Sequence, residues 1–201
     1  MIPEKQLRTL YVEDRRSVSE IAKRLKCSAG RIDYWLKKYD IQKRSISEAV
    51  YQSWNPDGDP FSIRAPRNTR EAILFGLGIG LYWGEGTKAN KNSVRLGNSD
   101  PALIRKFIDF LTTFYRVDRG RLRFGLQIFG DMEKERVQKF WADHLEISKK
   151  QFYPSIVITP YRGVGSYRRK TRHGVLTLYF NNKKLRDTIC GAIEQIAQKP
   201  M

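Results

Sequence analysis

Between Asn68 and Gly86 the chain reads Asn-Thr-Arg-Glu-Ala-Ile-Leu-Phe-Gly-Leu-Gly-Ile-Gly-Leu-Tyr-Trp-Gly-Glu-Gly, an apolar run carrying glycines at 76, 80 and 84. Asn68, with Glu71 three residues later, is a helix start, and the run behind it predicts a buried helix. Each glycine costs a helix about 1 kcal/mol relative to alanine, so three on one face at i, i+4 and i+8 call for an offsetting gain. Close approach of a second helix supplies one, because small residues at four-residue spacing remove the side chains that would hold two backbones apart. The run is too short to be a membrane dimer. It closes on an acid, Glu85, and then on Gly86, a natural helix stop.

The chain's charge names the class of partner. Its 201 residues hold 38 Lys+Arg against 21 Asp+Glu, a formal net charge of +17, and such a surplus points to a polyanion, with nucleic acid first. By quarters the net charge is +5 over 1–50, +1 over 51–100, +4 over 101–150 and +7 over 151–201, which suggests two contact surfaces flanking a nearly neutral middle. Apolar residues at 40% suffice for a packed core, and no stretch approaches the ~20 unbroken apolar residues of a membrane span. The opening Met1–Lys5 lacks the layout of a secretory signal. Cys27 and Cys190 stand far apart, and only His144 and His173 accompany them, so neither a disulfide framework nor a thiolate zinc site is supported. The expectation is a cytoplasmic protein, nucleoid-associated if bacterial or archaeal. Three prolines (Pro56, Pro60, Pro66) and Gly58 mark a linker, giving a module over 1–46, a linker over 47–67 and a larger domain over 68–201.

In the module, Ser17-Val18-Ser19-Glu20 is a capping box opening a helix over Val18–Leu25 with Ile21, Ala22 and Leu25 on one face. Lys26-Cys27-Ser28 turns into a second helix from Ala29 to about Tyr39, carrying Ile32, Trp35 and Leu36 at helical spacing. A preceding helix around Glu4–Asp14, with Leu7, Leu10 and Tyr11 inward, completes a three-helix core. From about Leu7 to Ile41 this resembles the helix-turn-helix of resolvase-type and response-regulator DNA-binding domains. The resemblance implies that the second helix enters the major groove, with Ala29, Gly30, Asp33, Tyr34 and Lys37 at base edges and Arg31 and Lys38 on phosphates. The competing reading is an amphipathic hairpin that binds protein or nothing. Lys26 stands where such turns often carry Gly, and Lys43 and Arg44 suit either the DNA backbone or solvent.

Gly78 to Gly86 resembles the LAGLIDADG motif of homing endonucleases and intron maturases, keeping the small residues at Gly80 and Gly84, the apolar Leu81, the terminal acid and the last glycine. Glu85 stands for the commoner Asp, and Trp83 replaces the inner Asp. The resemblance implies an α+β fold, a LAGLIDADG-like αββα-βαββα domain with a DNA-binding antiparallel sheet behind a small all-α helix-turn-helix domain. With one motif per chain it also implies a homodimer, with Gly76, Gly80, Leu81 and Gly84 at its interface. In it Glu85 and the Gly84 carbonyl would hold a divalent metal, Mg²⁺ by the hardness of the oxygen donors. Downstream, Val94–Asp100 reads as a strand running into a cap, with Arg95 on it, and Pro101 opens a helix over Ala102–Tyr115. The strand expected in Thr87–Asn92 is nearly absent.

From Arg119 the chain alternates, with Arg119, Arg121, Arg123 and Gln127 facing one way and Leu122, Phe124, Leu126 and Ile128 the other. Such a face is better explained by phosphates or guanine edges than by solvent. A helix from Asp131 to His144 and strands over Ser155–Tyr161 and Gly174–Phe180 follow, and a closing helix spans Asn182–Gln198. The connection between those strands holds Arg162, Arg168, Arg169, Lys170 and Arg172 with no acid. It reads as DNA contact or a solubilising loop, and Lys170 as the basic residue that such nucleases use. Lys88 joins the DNA contacts. The leading expectation is a Mg²⁺-dependent endonuclease that binds and cleaves double-stranded DNA. The alternative is a regulator of that fold that binds without cutting, since one bacterial group of sporulation regulators pairs the two domains.

Overall fold

A computed structural model describes residues 1–159 and 171–198 of the chain. The chain divides after Pro60 into two units.

In the first unit, α1 (Glu4–Arg8) runs on into a π-helical turn over Thr9–Glu13, and α2 (Val18–Arg24) and α3 (Ala29–Lys38) follow. Ser17 accepts the Glu20 N–H while the Glu20 carboxylate accepts the Ser17 N–H at 2.7 Å, and Ser28 caps α3. Leu7, Leu10, Tyr11, Ile21, Ala22, Ile32, Leu36 and Ile41 form its core. Lys26 takes the left-handed conformation with φ +49°, so the α2–α3 turn adopts there the geometry that glycine usually provides. Residues expected to be plain linker form α4 (Ile46–Trp54), opened by a second capping box from Ser45 to Glu48. Arg44 lies over the Tyr11 ring at 4.1 Å and donates to the carbonyls of Arg15 and Arg16 and to Gln52. These contacts hold its side chain inside the unit.

The second unit begins before Asn68. Phe61 packs on its core, and the N–H groups of Ser62 and Arg64 bond the Tyr115 and Phe114 carbonyls at 3.0 and 2.8 Å. Its elements are α5 (Thr69–Glu85), β1 (Val94–Asn98), α6 (Pro101–Phe114), β2 (Arg123–Phe129), α7 (Lys134–Leu145), β3 (Phe152–Thr159), β4 (Val175–Phe180) and α8 (Lys183–Gln198). The strands make one sheet in the order β1-β4-β2-β3. Val94, Leu96, Phe124, Leu126, Ile128, Leu176, Leu178 and Phe180 turn one face into the core shared with the helices, which makes an α+β layer arrangement.

Two features differ from the sequence reading. The sheet is mixed: β4 is antiparallel to β1 and β2, but β2 and β3 are parallel. The cause is α7, which carries the chain back across the sheet and returns it in the same direction. And the strand begins at Arg123 rather than Arg119, because Asp118 accepts the Gly120 N–H and coils Arg119–Arg121 into a 3₁₀ turn. The place of a first strand after α5 is taken by a single bridge, Gly86 to Leu96.

Candidate nucleic-acid interface

α5 presents two unlike faces. Gly78, Ile79 and Tyr82 are buried. A Cβ on Gly78 would stand 2.1 Å from Phe110 Cγ, so this is the glycine that brings α5 onto α6. Phe75 meets Phe114 edge-on at 5.2 Å, and Tyr82 stacks on Phe107 at 5.9 Å. Gly76, Gly80 and Gly84 lie on the other face, and a Cβ added to any of them would meet no atom within 4 Å. Ile73 and Leu77 share that stripe, 67% and 43% exposed. Leu81, expected at a dimer interface, is half-buried and packs partly against the chain's own core, on the flank beside Gly78.

At the C-terminal end of α5 the last carbonyls lack intrahelical partners. Tyr82 O accepts from the Gly86 N–H at 3.0 Å, and Trp83 O accepts the Lys88 ammonium. Lys88 is therefore a cap on this helix, which competes with its expected role at DNA. The Thr87 N–H donates to Arg95 O at 3.0 Å, stitching the helix end to β1. Glu85 is exposed. Its carboxylate and the neighbouring Gly84 carbonyl are hard oxygen donors of the kind Mg²⁺ accepts. They are a partial set, since the described residues contain no group of three His, Cys, Asp or Glu able to hold a metal. The donor chemistry fits the metal, and a complete shell needs water, substrate or a second chain.

The sheet face away from the helices carries Arg95, Tyr179 and Arg123 in one row across β1, β4 and β2. Gly97, Thr177 and Gly125 form the next row, and Gln127 lies between Val175 and Val157 in the third. The Arg95 guanidinium lies 5.1 Å from the Tyr179 ring centre and donates to Ser93 Oγ at 2.7 Å. Arg123 donates to the carbonyls of Gly120 and Leu122 at 2.7 and 2.9 Å. Among the described residues no carboxylate pairs with either arginine, so neutral dipoles hold both in place and leave their charge uncompensated. The two rowside glycines leave the middle of the face low, and Tyr179 leans over Gly125. Alternation in 174–180 carried the signal for Tyr179 and Thr177, which sequence reasoning had not assigned. Arg119 departs from this face: in its 3₁₀ turn it donates to the Leu145 carbonyl at 2.7 Å, capping α7. Arg121, in the same turn, is exposed but lies ahead of the strand.

On α3, Ala29, Gly30, Arg31, Tyr34, Lys37 and Lys38 are exposed. Lys38 stands 4.8 Å from the Trp35 ring centre, and Tyr34 meets Trp35 edge-on at 5.4 Å. Asp33 is held by Lys43 at 2.9 Å, so reading a base with it means breaking that pair. Arg162, Arg168, Arg169 and Lys170 lie outside the described residues, whereas Arg172 is exposed. No described helix is long and apolar enough to cross a membrane. Comparison with family models, curated proteins and solved structures returns no match to this chain.

Proposed function

We propose that the chain binds double-stranded DNA through α3 and the open sheet face, and that it cleaves the duplex as a homodimer joined through α5. The observation that carries the reading is the bare glycine stripe of α5, which ends beside an exposed acid. Three glycines weaken that helix by roughly 3 kcal/mol in total, and among the described residues nothing comes within 4 Å of a Cβ placed on any of them. A second copy of the same stripe supplies the contact, because two glycine faces let backbones approach closely. A twofold axis along that stripe brings two Glu85 carboxylates and two Gly84 carbonyls toward each other, enlarging the donor set that one chain leaves partial.

A bound Mg²⁺ would supply Lewis-acid stabilisation of the phosphorane-like charge and a water of lowered pKa. The chain's own residues do the rest. Arg95 and Arg123 bind phosphates and fix the duplex on the sheet, Glu85 offers a hard oxygen at the helix end, and the Thr87–Arg95 bond holds that end against the sheet rim. The helix-turn-helix adds affinity and register.

Binding without cutting is the second reading, and the partial donor set favours it. One variant separates the two. With a supercoiled plasmid carrying the chain's own gene and flanks, wild type in Mg²⁺ is expected to nick or linearise the substrate. Glu85→Gln is expected to lose that activity while duplex affinity changes less than about twofold. Equal cleavage by both proteins removes the nuclease assignment; tight binding with no cleavage by either leaves the regulator.

A further inference from the structure

The chain has two histidines, and both stand against one ring. His173 stacks face to face on Phe140, centroids 3.4 Å apart and planes 6° from parallel. His144, one turn along α7 from Phe140, lies 4.5 Å from the same ring. The buried Trp141 donates its indole N–H to the His173 carbonyl at 2.7 Å. Gly174 follows with φ +63°, in a turn so tight that a Cβ would stand 2.3 Å from Gln127 O. His173 is thereby fixed from α7 on one side and from β2 on the other.

The charged groups acting on His173 are His144, Arg172 and Arg136, and all are bases. Burial and these three neighbours together hold its imidazole below the ordinary histidine range. Asp143, beside His144 on α7, is taken by Lys139 at 2.7 Å, and from β2 the Gln127 carbonyl and the Ile128 side chain lie nearest a Cβ placed on Gly174. Glu135 neighbours Arg136 along α7, but among the described residues no carboxylate pairs with either arginine or either imidazole, so the cluster is a place of concentrated positive potential, completed by an anion rather than by a cation or an apolar group.

We propose that Arg136, His144, Arg172 and His173 form a binding site for phosphate groups of a nucleic-acid backbone. The nucleic-acid part rests on the DNA-binding reading above; the phosphate chemistry does not. A phosphate oxygen gives each protonated imidazole a charge-assisted partner, so filling the site raises both histidine pKa values. By linkage, affinity then strengthens as pH falls through the histidine range, by up to tenfold per pH unit for each proton taken up.

Two histidines give two ring signals, so a pH titration by two-dimensional NMR on the full chain reads both. Inorganic phosphate replacing chloride at constant ionic strength is expected to raise both ring pKa values, and Arg136→Gln with Arg172→Gln is expected to abolish the rise. Fluorescence anisotropy with a labelled duplex is expected to show affinity increasing at least threefold from pH 8 to pH 6, and His144→Gln with His173→Gln is expected to flatten the profile. Ring pKa values unmoved by both inorganic phosphate and duplex overturn the site. Values moved by inorganic phosphate alone, with duplex bound independently of pH, overturn the nucleic-acid assignment and make free phosphate the ligand. If no duplex binds at any pH, the DNA reading fails, and the phosphate titration still decides the site.

Discussion

Alanine at Gly80 tests the pairing of two α5 helices, because the expected effect has opposite signs in one chain and in two. In a single chain a new Cβ at Gly80 meets nothing within 4 Å, so alanine should only firm the helix, by roughly 0.8–1 kcal/mol. For a unit of this size that amounts to an upward shift of roughly 2–4 °C in Tm. In a dimer the same methyl enters a close backbone contact twice, at about 1–3 kcal/mol each. The helix-forming gain is common to free and paired chains and cancels from the dissociation constant. The overpacking does not cancel, and at about 1.4 kcal/mol per tenfold its lower bound weakens pairing roughly 25-fold. Sedimentation equilibrium reads the constant, and thermal melts at two protein concentrations read the crossing: the variant is more stable when dilute and less stable when concentrated. Gly78→Ala is the control, since its Cβ would stand 2.1 Å from Phe110 Cγ. It should lower Tm at every concentration, by the overpacking of one chain's own core. A Gly80→Ala protein with an unchanged dissociation constant, or with no dimer in either form, refutes the paired-helix reasoning.

The sheet face and the α5 start give two more expectations. Arg95→Gln combined with Arg123→Gln should reduce the steepness of log affinity against log salt by about 2, since each lost phosphate contact removes roughly 0.9; an unaltered slope in an anisotropy salt series places the phosphates elsewhere. At the start of α5, Arg64 grips Glu71 through its two terminal guanidinium nitrogens at 2.8 and 2.9 Å, and the Arg67 N–H adds a third bond at 2.8 Å. Hydrogen bonds from Arg64 first, and then from Arg67, hold the Glu71 carboxyl below its ordinary value. A carboxylate so depressed contributes stability above its unfolded pKa and loses it as pH falls through the folded one. Glu71→Gln should therefore lower the urea midpoint near neutrality and leave it less sensitive to acid; parallel pH curves for variant and wild type would sink this account.

Local signals were legible where a side chain answers its own backbone. The Ser17 box, the Ser28 cap, Asn68 and Pro101 each mark a helix start that the structure keeps. The same signature stands at Ser45–Glu48 and opens α4, but the turn chemistry of the proline-rich stretch beside it masks the helix in the sequence. The four-residue glycine period gave a face without giving its neighbour: Gly78, off that period, is the residue that α6 touches. Strand direction was illegible for a different reason. Alternation in 123–129 gives which side chains face the core, but the parallel pairing of β2 and β3 depends on the path of α7, a nonlocal matter. Arg119 shows the limit of alternation itself, because one Asp118–Gly120 hydrogen bond moves it out of the strand and onto the end of α7.

The bond from the Thr87 N–H to Arg95 O has a mechanical corollary. Arg95 points its guanidinium over the open face, and its own main-chain oxygen grips the residue two positions beyond Glu85. Only the buried Gly86 stands between Thr87 and the acid, so the backbone that carries the guanidinium and the backbone that carries the carboxylate are tied together two residues from Glu85. A ligand held by Arg95 would thus rest on the strand that also positions the carboxylate.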